Sequence, residues 1–364
     1  MSRKVLPLSD VIILQRGFDL PTPQRKFGEY PVIASTGTTT THNEAKVKGP
    51  GVVIGRSGSI GGGQYIDKDF WPLNTTLWVK DFKGNNELFI YYLLKSIDFS
   101  SFNAGGAVPT LNRNHLSMLK VSIPSRNEQD EIAIILGTID GKIELNKRIN
   151  KTLEQMSQAL FRHYFIDNPE SNTWLKGKVS DLGIVITGKT PSKTKSEYFG
   201  GKIQFLKVPD MHGQSIVTKT SDSLTKEGAA TQKGKMIPKY STCVSCIATV
   251  GIISLAGSDL QTNQQINSIV PKSKEYRFYN YFLMREKSEL IKTMASGGTA
   301  TLNLNKGQFE KIKINMPGQQ TLMEFDESVK FIFEKLELNL READNLIQLR
   351  DLILPRLIYG KIKL

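Results

Sequence analysis

The sequence predicts an α+β chain built in tandem: two α/β globules, separated and joined by two long helices that pair as an antiparallel coiled coil, with an internal pseudo-twofold repeat. Three observations carry this. First, Gly105-Gly106-Ala107-Val108-Pro109-Thr110-Leu111-Asn112, followed by Val121-Ser122-Ile123-Pro124, is echoed by Gly297-Gly298-Thr299-Ala300-Thr301-Leu302-Asn303, followed by Ile314-Asn315-Met316-Pro317. Second, each closing proline leads into a glutamine-bearing start (Gln129; Gln319 and Gln320) and a long run of apolar residues at helical period. Third, the stretches before each run mix short β-branched segments with Gly/Pro turns. The chain therefore divides into a first globule (1–125), a central helix (126–167), a second globule (168–316) and a C-terminal helix (317–364).

The first globule opens with Leu8-Ser9-Asp10-Val11, a β-like run at Ile12-Ile13-Leu14, and Arg16-Gly17; the second opens with Val179-Ser180-Asp181-Leu182, Ile184-Val185-Ile186 and Thr187-Gly188. Val52 to Gly61 corresponds to Cys243 to Gly251, and Asn74-Thr75-Thr76-Leu77 to Asn263-Gln264-Gln265-Ile266. An aromatic-rich stretch, read as a helix packed into the core, follows in both: 88–94 and 278–284. The middles of the globules do not align. The frames agree and the interiors differ, as expected of two modules that read different things.

In the C-terminal helix, apolar residues recur in steps of three and four: Leu322, Phe325, Val329, Ile332, Leu336, then Asn339, Ala343, Leu346, and after Arg350, Ile353 and Leu357. The central helix shows Ile132, Leu136, Ile139, Ile143, Asn146, Asn150, Leu153 and Leu160, interrupted by Gly137 and Gly141. These are heptad seams, and each seam needs a partner. With a globule between them, antiparallel pairing of the two helices is the simplest closure, and the asparagines fix register at some cost in stability. The alternative is two amphipathic helices, each packed on its own globule. A helix of about 38 residues spans roughly 57 Å. Globules at its two ends would touch sites about one DNA turn, roughly 34 Å, or somewhat more apart.

A chain of 364 residues has room for two cores. A net charge of +13 points to a polyanionic partner, most simply nucleic acid. The charge is uneven. Between Lys176 and Lys239 there are about a dozen lysines against roughly half as many acids, whereas the C-terminal helix carries Glu324, Asp326, Glu327, Glu334, Glu337, Glu342 and Asp344. No apolar run approaches the ~20 residues of a membrane span. The N-terminal segment lacks a secretory apolar core, and two cysteines make no disulfide framework, so a cytoplasmic location is expected.

Several motifs suggest chemistry that their context denies. Gly183 to Thr190 matches the phosphate-loop pattern, but its interior reads as a strand and Pro191 follows at once. Cys243-Val244-Ser245-Cys246 has metal-like spacing without a second ligand pair, so buried strand cysteines are expected. Asn168-Pro169-Glu170 is not a methyltransferase motif. Glu44-Ala45-Lys46 lacks the preceding Pro-Asp of a nuclease site, and His42, His115, His163 and His212 support no catalytic triad.

The run 157–167 (Ser-Gln-Ala-Leu-Phe-Arg-His-Tyr-Phe-Ile-Asp) resembles the end of the central conserved helix of type I restriction–modification specificity subunits, and 349–360 resembles its C-terminal counterpart. Gly188-Lys189-Thr190-Pro191-Ser192 with 197–203 (Glu-Tyr-Phe-Gly-Gly-Lys-Ile) is similar to the start of a recognition domain in that family. The first copy departs from this pattern, offering Asp19-Leu20-Pro21-Thr22-Pro23. The resemblance implies a non-catalytic DNA reader without its own cofactor. Two target recognition domains would each grip one half of a bipartite asymmetric site, while the helices set the spacer and dock two methyltransferase subunits. Restriction/translocase subunits join that core, and S-adenosylmethionine, ATP and Mg²⁺ belong to the partners.

On this reading phosphate contacts supply affinity and base-edge contacts supply sequence choice. The candidates in the first globule are Arg16, Arg25, Lys26, Lys46, Lys48, Arg56 and Ser57. Arg56 stands out because a glycine-rich turn lets it approach a groove and Arg reads guanine bidentately. In the second they are Lys189, Lys193, Lys195, Lys202, Lys207, Lys219, Lys233 and Lys235. Each also has the plainer reading of a solvated surface cation. Two other functions compete: a helical scaffold that organises partners without reading DNA, and a nuclease or ATPase using the phosphate-loop match.

Overall fold

The computed structural model describes residues 3–102, 109–296, 302–362 and 364. The glycine pairs Gly105-Gly106 and Gly297-Gly298, with Ala107, Val108 and Thr299 to Thr301 beside them, lie outside the described residues. The chain forms two compact units, residues 1–144 with 344–364, and residues 145–343. Compactness thus divides both long helices, between Glu144 and Leu145 and between Ala343 and Asp344, where the division by sequence keeps each helix whole.

In the first unit a four-stranded antiparallel sheet has the order Ile13–Arg16, Thr76–Asp81, Gly51–Gly55, Gly61–Ile66. A second sheet has the order Gly37–His42, Tyr30–Ala34, Trp71–Pro72, its last pair parallel. The all-apolar run Val52-Val53-Ile54 follows from coverage on both faces. Val52 and Ile54 pack with Phe89, Leu93 and other residues of the helix Glu87–Lys95, while Val53 packs with Phe70, Ile33 and Val47. The Asn86 side chain caps that helix by accepting from the Phe89 N–H at 2.9 Å. Its Nδ2 donates to Asp130 at 2.7 Å, and its own N–H donates to Gln129 Oε1 at 3.0 Å. The globule is thereby pinned to the first turns of the helix Arg126–Phe161.

The second unit repeats this plan. Its main sheet has the order Gly183–Thr187, Ile266–Pro271, Thr242–Ser245, Ile253–Ala256, with Ile216–Val217 added at the edge. Its second sheet has the order Asp222–Leu224, Phe199–Leu206, Leu260–Thr262, with Met236–Ile237 added. Cys243 and Val244 take the places of Val53 and Ile54, one facing each core layer. The helix Tyr276–Glu286 takes the place of Glu87–Lys95, and Arg277 grips Asp326 of the second long helix bidentately at 2.8 and 3.0 Å. A short antiparallel ribbon closes each unit: Lys4–Pro7 with Lys120–Ile123, and Leu175–Lys178 with Lys313–Met316. The predicted repeat is therefore present as shared topology, and the added strands explain why the middles do not align.

Segments of the helices Arg126–Phe161 and Gln319–Ile358 run antiparallel within each unit. In the first, Arg350 donates to Asp140 at 2.8 Å, and Tyr92 donates its hydroxyl to the same carboxylate at 2.8 Å. In the second, Asn146 donates to Glu342 at 2.8 Å, and Asn150 pairs with Asn339. Ile132, Leu136, Ile143, Asn146 and Asn150 are buried, as are Leu322, Phe325, Val329, Leu336, Asn339, Ala343 and Leu357. Ile139, Leu153, Leu160, Leu346 and Ile353 are half-buried. Ile332 is half-buried as well, and its neighbour Phe333 is buried, stacked on Phe278 at 4.3 Å between ring centroids. Gly137 fits because a side chain there would meet Leu88 Cδ2 at 2.9 Å.

Candidate nucleic-acid interface

At one edge of the main sheet of the first unit, three connections converge. Arg16 ends its strand exposed, its guanidinium 3.7 Å from Asp19. The Asn74 amide donates to the same Asp19 carboxylate, and Arg56 Nη1 donates to the Asn74 carbonyl at 3.2 Å. The backbone fixes these groups. The N–H groups of Arg56 and Ser57 both donate to the Thr75 carbonyl, at 2.8 and 3.1 Å, and Leu111 N–H donates to the Arg56 carbonyl at 2.8 Å. The turn favours glycine at Gly58, with φ +82°, and requires it at Gly55, where a Cβ would lie 1.9 Å from the Ser59 carbonyl. Arg16, Asp19, Arg56, Ser57, Asn74 and Thr75 thus form one polar cluster held by backbone hydrogen bonds.

The other candidate cations of this unit share no hydrogen bond or ion pair with that cluster among the described residues. Arg25 Nε donates to the Leu20 carbonyl at 3.2 Å, and Lys26 is exposed with its backbone N–H on His42 Nδ1 at 3.0 Å. Lys46 lies 4.8 Å over the Trp71 ring, and Lys48 is exposed.

The same edge recurs in the second unit with different side chains. Cys246 N–H donates to the Gln265 carbonyl at 2.8 Å, as Arg56 does to Thr75. Leu304 N–H donates to the Cys246 carbonyl at 2.8 Å, and Ala248, with φ +63°, stands where Gly58 does. These bonds make Gln264 and Gln265 the counterparts of Asn74 and Thr75. Leu73 and Asn263, whose carbonyls accept from Thr76 and Ile266, correspond in turn. The sequence match of Asn74 with Asn263 is therefore one residue out of register. Thr190 donates to Gln264 at 2.6 Å, and Lys189 is exposed beside it. The place of Arg56 is taken by the buried Cys246, and the polar side chains of this loop are the amides Gln264 and Gln265. An amide suits the paired donor and acceptor of adenine, and Arg suits the two acceptors of guanine.

Lys193, Lys195, Lys202, Lys219 and Lys233 are exposed, and Lys235 is half-buried. The Lys195 ammonium donates to the Tyr198 hydroxyl at 3.2 Å, a bond that raises its pKa. Lys207 is half-buried and its ammonium is 2.8 Å from Asp222, so its charge is already answered within the unit. Sequence reasoning centred on cations missed Asp19, Asn74, Gln264 and Gln265. The available signal was their place inside the repeated Asn-Thr-Thr and Asn-Gln-Gln strings.

The tempting motifs take other roles. Gly183–Thr187 is a strand, and the N–H groups of Gly188 and Lys189 donate to the carbonyls of Ile266 and Thr262 at 3.1 and 3.0 Å, unlike the open strand-to-helix loop of a phosphate cradle. Cys243 and Cys246 are buried, and burial pushes both thiols up to about 12. Among the described residues there is no cluster of three or more His, Cys, Asp or Glu that could hold a metal, and no helix long and apolar enough to cross a membrane.

The family model for the type I restriction modification DNA specificity domain matches this chain twice, over residues 3–155 and 171–331. The chain is 34% identical to the type I restriction enzyme HindI specificity subunit of Haemophilus influenzae, across 83% of this chain and 84% of that protein. It is 24% identical to the EcoR124I/EcoR124II specificity subunit of Escherichia coli, across 77% and 74%. The crystal structure of a type I restriction–modification S subunit from M. genitalium shares the fold with a TM-score of 0.70 at 16% identity, covering 98% of this chain and 96% of that one. The chain belongs to the family of type I restriction–modification specificity subunits, the non-catalytic DNA-recognition components of those systems.

Proposed function

We propose that this chain directs a type I modification and restriction complex in the cytoplasm to a bipartite asymmetric DNA site, each unit reading one half. The observation that carries this reading is the pair of equivalent loop edges. Equivalent backbone bonds frame Arg16, Arg56 and Asn74 in one unit and Thr187, Cys246 and Gln264 in the other, where Lys189 follows at the place of Phe18 and Gln265 at that of Thr75. A shared frame with exchanged readers fits two unlike half-sites on one duplex. Exposed lysines of the second unit supply phosphate affinity that falls with salt.

The long helices set the spacer between the half-sites and dock two methyltransferase subunits, with restriction/translocase subunits joining them. Phe331 and Leu338 in the second unit, and Leu349 and Leu352 in the first, stay exposed on the side of the second long helix opposite its seam. Large apolar side chains in such a row favour a partner helix. The chain itself needs no cofactor on this reading; S-adenosylmethionine, ATP and Mg²⁺ act on the partners.

The test is methylome sequencing of a methylation-free host carrying the neighbouring methyltransferase with and without this chain. A split motif that appears only with the chain is the expected result. Its absence, with a methyltransferase shown to work with another specificity chain, would favour the scaffold reading.

A further inference from the structure

A hollow of about 810 Å³ in the second unit lies at its ribbon Leu175–Lys178/Lys313–Met316 and not at the reading edge. Its floor is aromatic: Phe165 lies 4.7 Å from Tyr279 and 6.0 Å from Trp174, ring centre to ring centre. Lys176, Lys178, Lys287, Lys311 and Lys313 rim it, and none of them forms an ion pair among the described residues. Two acids share the rim with these five lysines, Glu286 and Asp181, the latter accepting from the Lys178 N–H at 2.8 Å.

The first unit carries a different version of this surface. Matching ribbon registers, with Pro7 opposite Lys120 and Lys178 opposite Lys313, put Val5 and Pro7 where Lys176 and Lys178 stand. Met118 caps Arg113–Ser117 as Lys311 caps Lys306–Glu310. Three of the lysines thus become apolar, and Val5 and Met118 are exposed.

We propose that this hollow docks a polypeptide segment of a methyltransferase partner, carrying an apolar or aromatic side chain flanked by Asp or Glu, and that only the second repeat offers it. This rests on the specificity-subunit reading. Concavity and an aromatic floor favour a protruding side chain, whereas a duplex roughly 20 Å across cannot enter a hollow of this size. An excess of lysines at the mouth, none in an ion pair among the described residues and Lys176 held by Asn315 at 2.9 Å, favours carboxylates, with attraction that weakens as salt rises. Two otherwise identical partners would then bind unequally, one gaining a contact the other lacks.

The test uses the full complex with its cognate methyltransferase. Lys176→Glu, Lys178→Glu and Lys313→Glu are combined, and uptake of each copy is followed by native mass spectrometry and titration calorimetry. The expected result is one copy weakened at least tenfold and the other unchanged, with full binding restored when the three lysines become arginine. Should the triple variant fail to fold, Lys176→Glu alone, at an exposed strand position, reads the same effect. Unchanged uptake of both copies overturns the proposal. So does unchanged uptake with DNA affinity weakened on every sequence, which would assign the lysines to phosphates. A wild-type chain that takes up no methyltransferase would remove the specificity-subunit reading itself, a separate result.

Discussion

Asn339 and Asn150, one from each long helix, form a buried amide pair: Asn339 Nδ2 donates to Asn150 Oδ1 at 2.9 Å, and Asn150 Nδ2 donates to the Leu336 carbonyl at 3.3 Å. Leucine at either position alone leaves an amide unsatisfied in an apolar seam. Asn339→Leu is expected to cost about 1–3 kcal/mol, seen as a lower midpoint in urea. The double leucine variant should regain that loss or exceed it. It should also lose the single register that the amides define, measurable as a spread of distances between spin labels on the two helices. A double variant as unstable as the single would show that the pair is not the source of the cost.

Glu337 gives an acid-stability prediction. Burial alone would raise its pKa. Hydrogen bonds from Lys239 at 2.9 Å, Arg341 at 3.0 Å and Tyr240 at 3.0 Å outweigh that and hold the carboxyl below its ordinary range. A carboxyl with a depressed folded pKa stabilises the fold above its unfolded value, and this contribution is lost as pH falls through the folded value. Unfolding stability should therefore fall below about pH 4.5, and Glu337→Gln should flatten that limb. At neutral pH the variant should cost only about 1 kcal/mol, because Lys239 and Arg341 reach water when released. Parallel acid limbs for the two proteins would contradict this account.

Much of this architecture was legible in the chain because the repeat occurs at positions where backbone geometry is strict: glycine turns, strand starts and the proline before each long helix. The seam was legible for a related reason, since steps of three and four leave few choices. It did not single out Phe333, because the second long helix faces two neighbours in this unit. Phe333 turns toward Phe278 of the globule instead of the partner helix, and a heptad count assumes one partner. The reading edge was half legible. Arg16, Arg56 and Lys189 carry charge and invite notice. The amides Asn74 and Gln264 acquire meaning only from hydrogen bonds between residues far apart in sequence, which also exposed the one-residue slip in the alignment.

Arg56 and Gln264 should separate the two half-sites. Arg56→Ala, in the assembled methyltransferase, is expected to cost about 1–3 kcal/mol of DNA affinity and to relax one position in the half read by the first unit. Gln264→Ala should do the same in the other half only. Lys193→Ala should weaken all sequences alike and reduce the salt slope by about one. Methylome sequencing distinguishes the outcomes directly. Relaxation in the same half-site by both Arg56→Ala and Gln264→Ala would break the assignment of one unit to each half.

The helices provide the last prediction. Four residues inserted after Glu144 in the first helix, and four after Ala343 in the second, add about 6 Å to each helix. Placed at the boundary between the units, the matched insertions keep Asn150 opposite Asn339 and Arg350 opposite Asp140. If the helices set the spacer, its length should grow by one or two base pairs, since ten base pairs occupy about 34 Å. Both half-sites should stay the same, because no residue of either reading edge is touched. A spacer of unchanged length in a complex that still methylates would mean that the separation of the half-sites is fixed by the partner subunits.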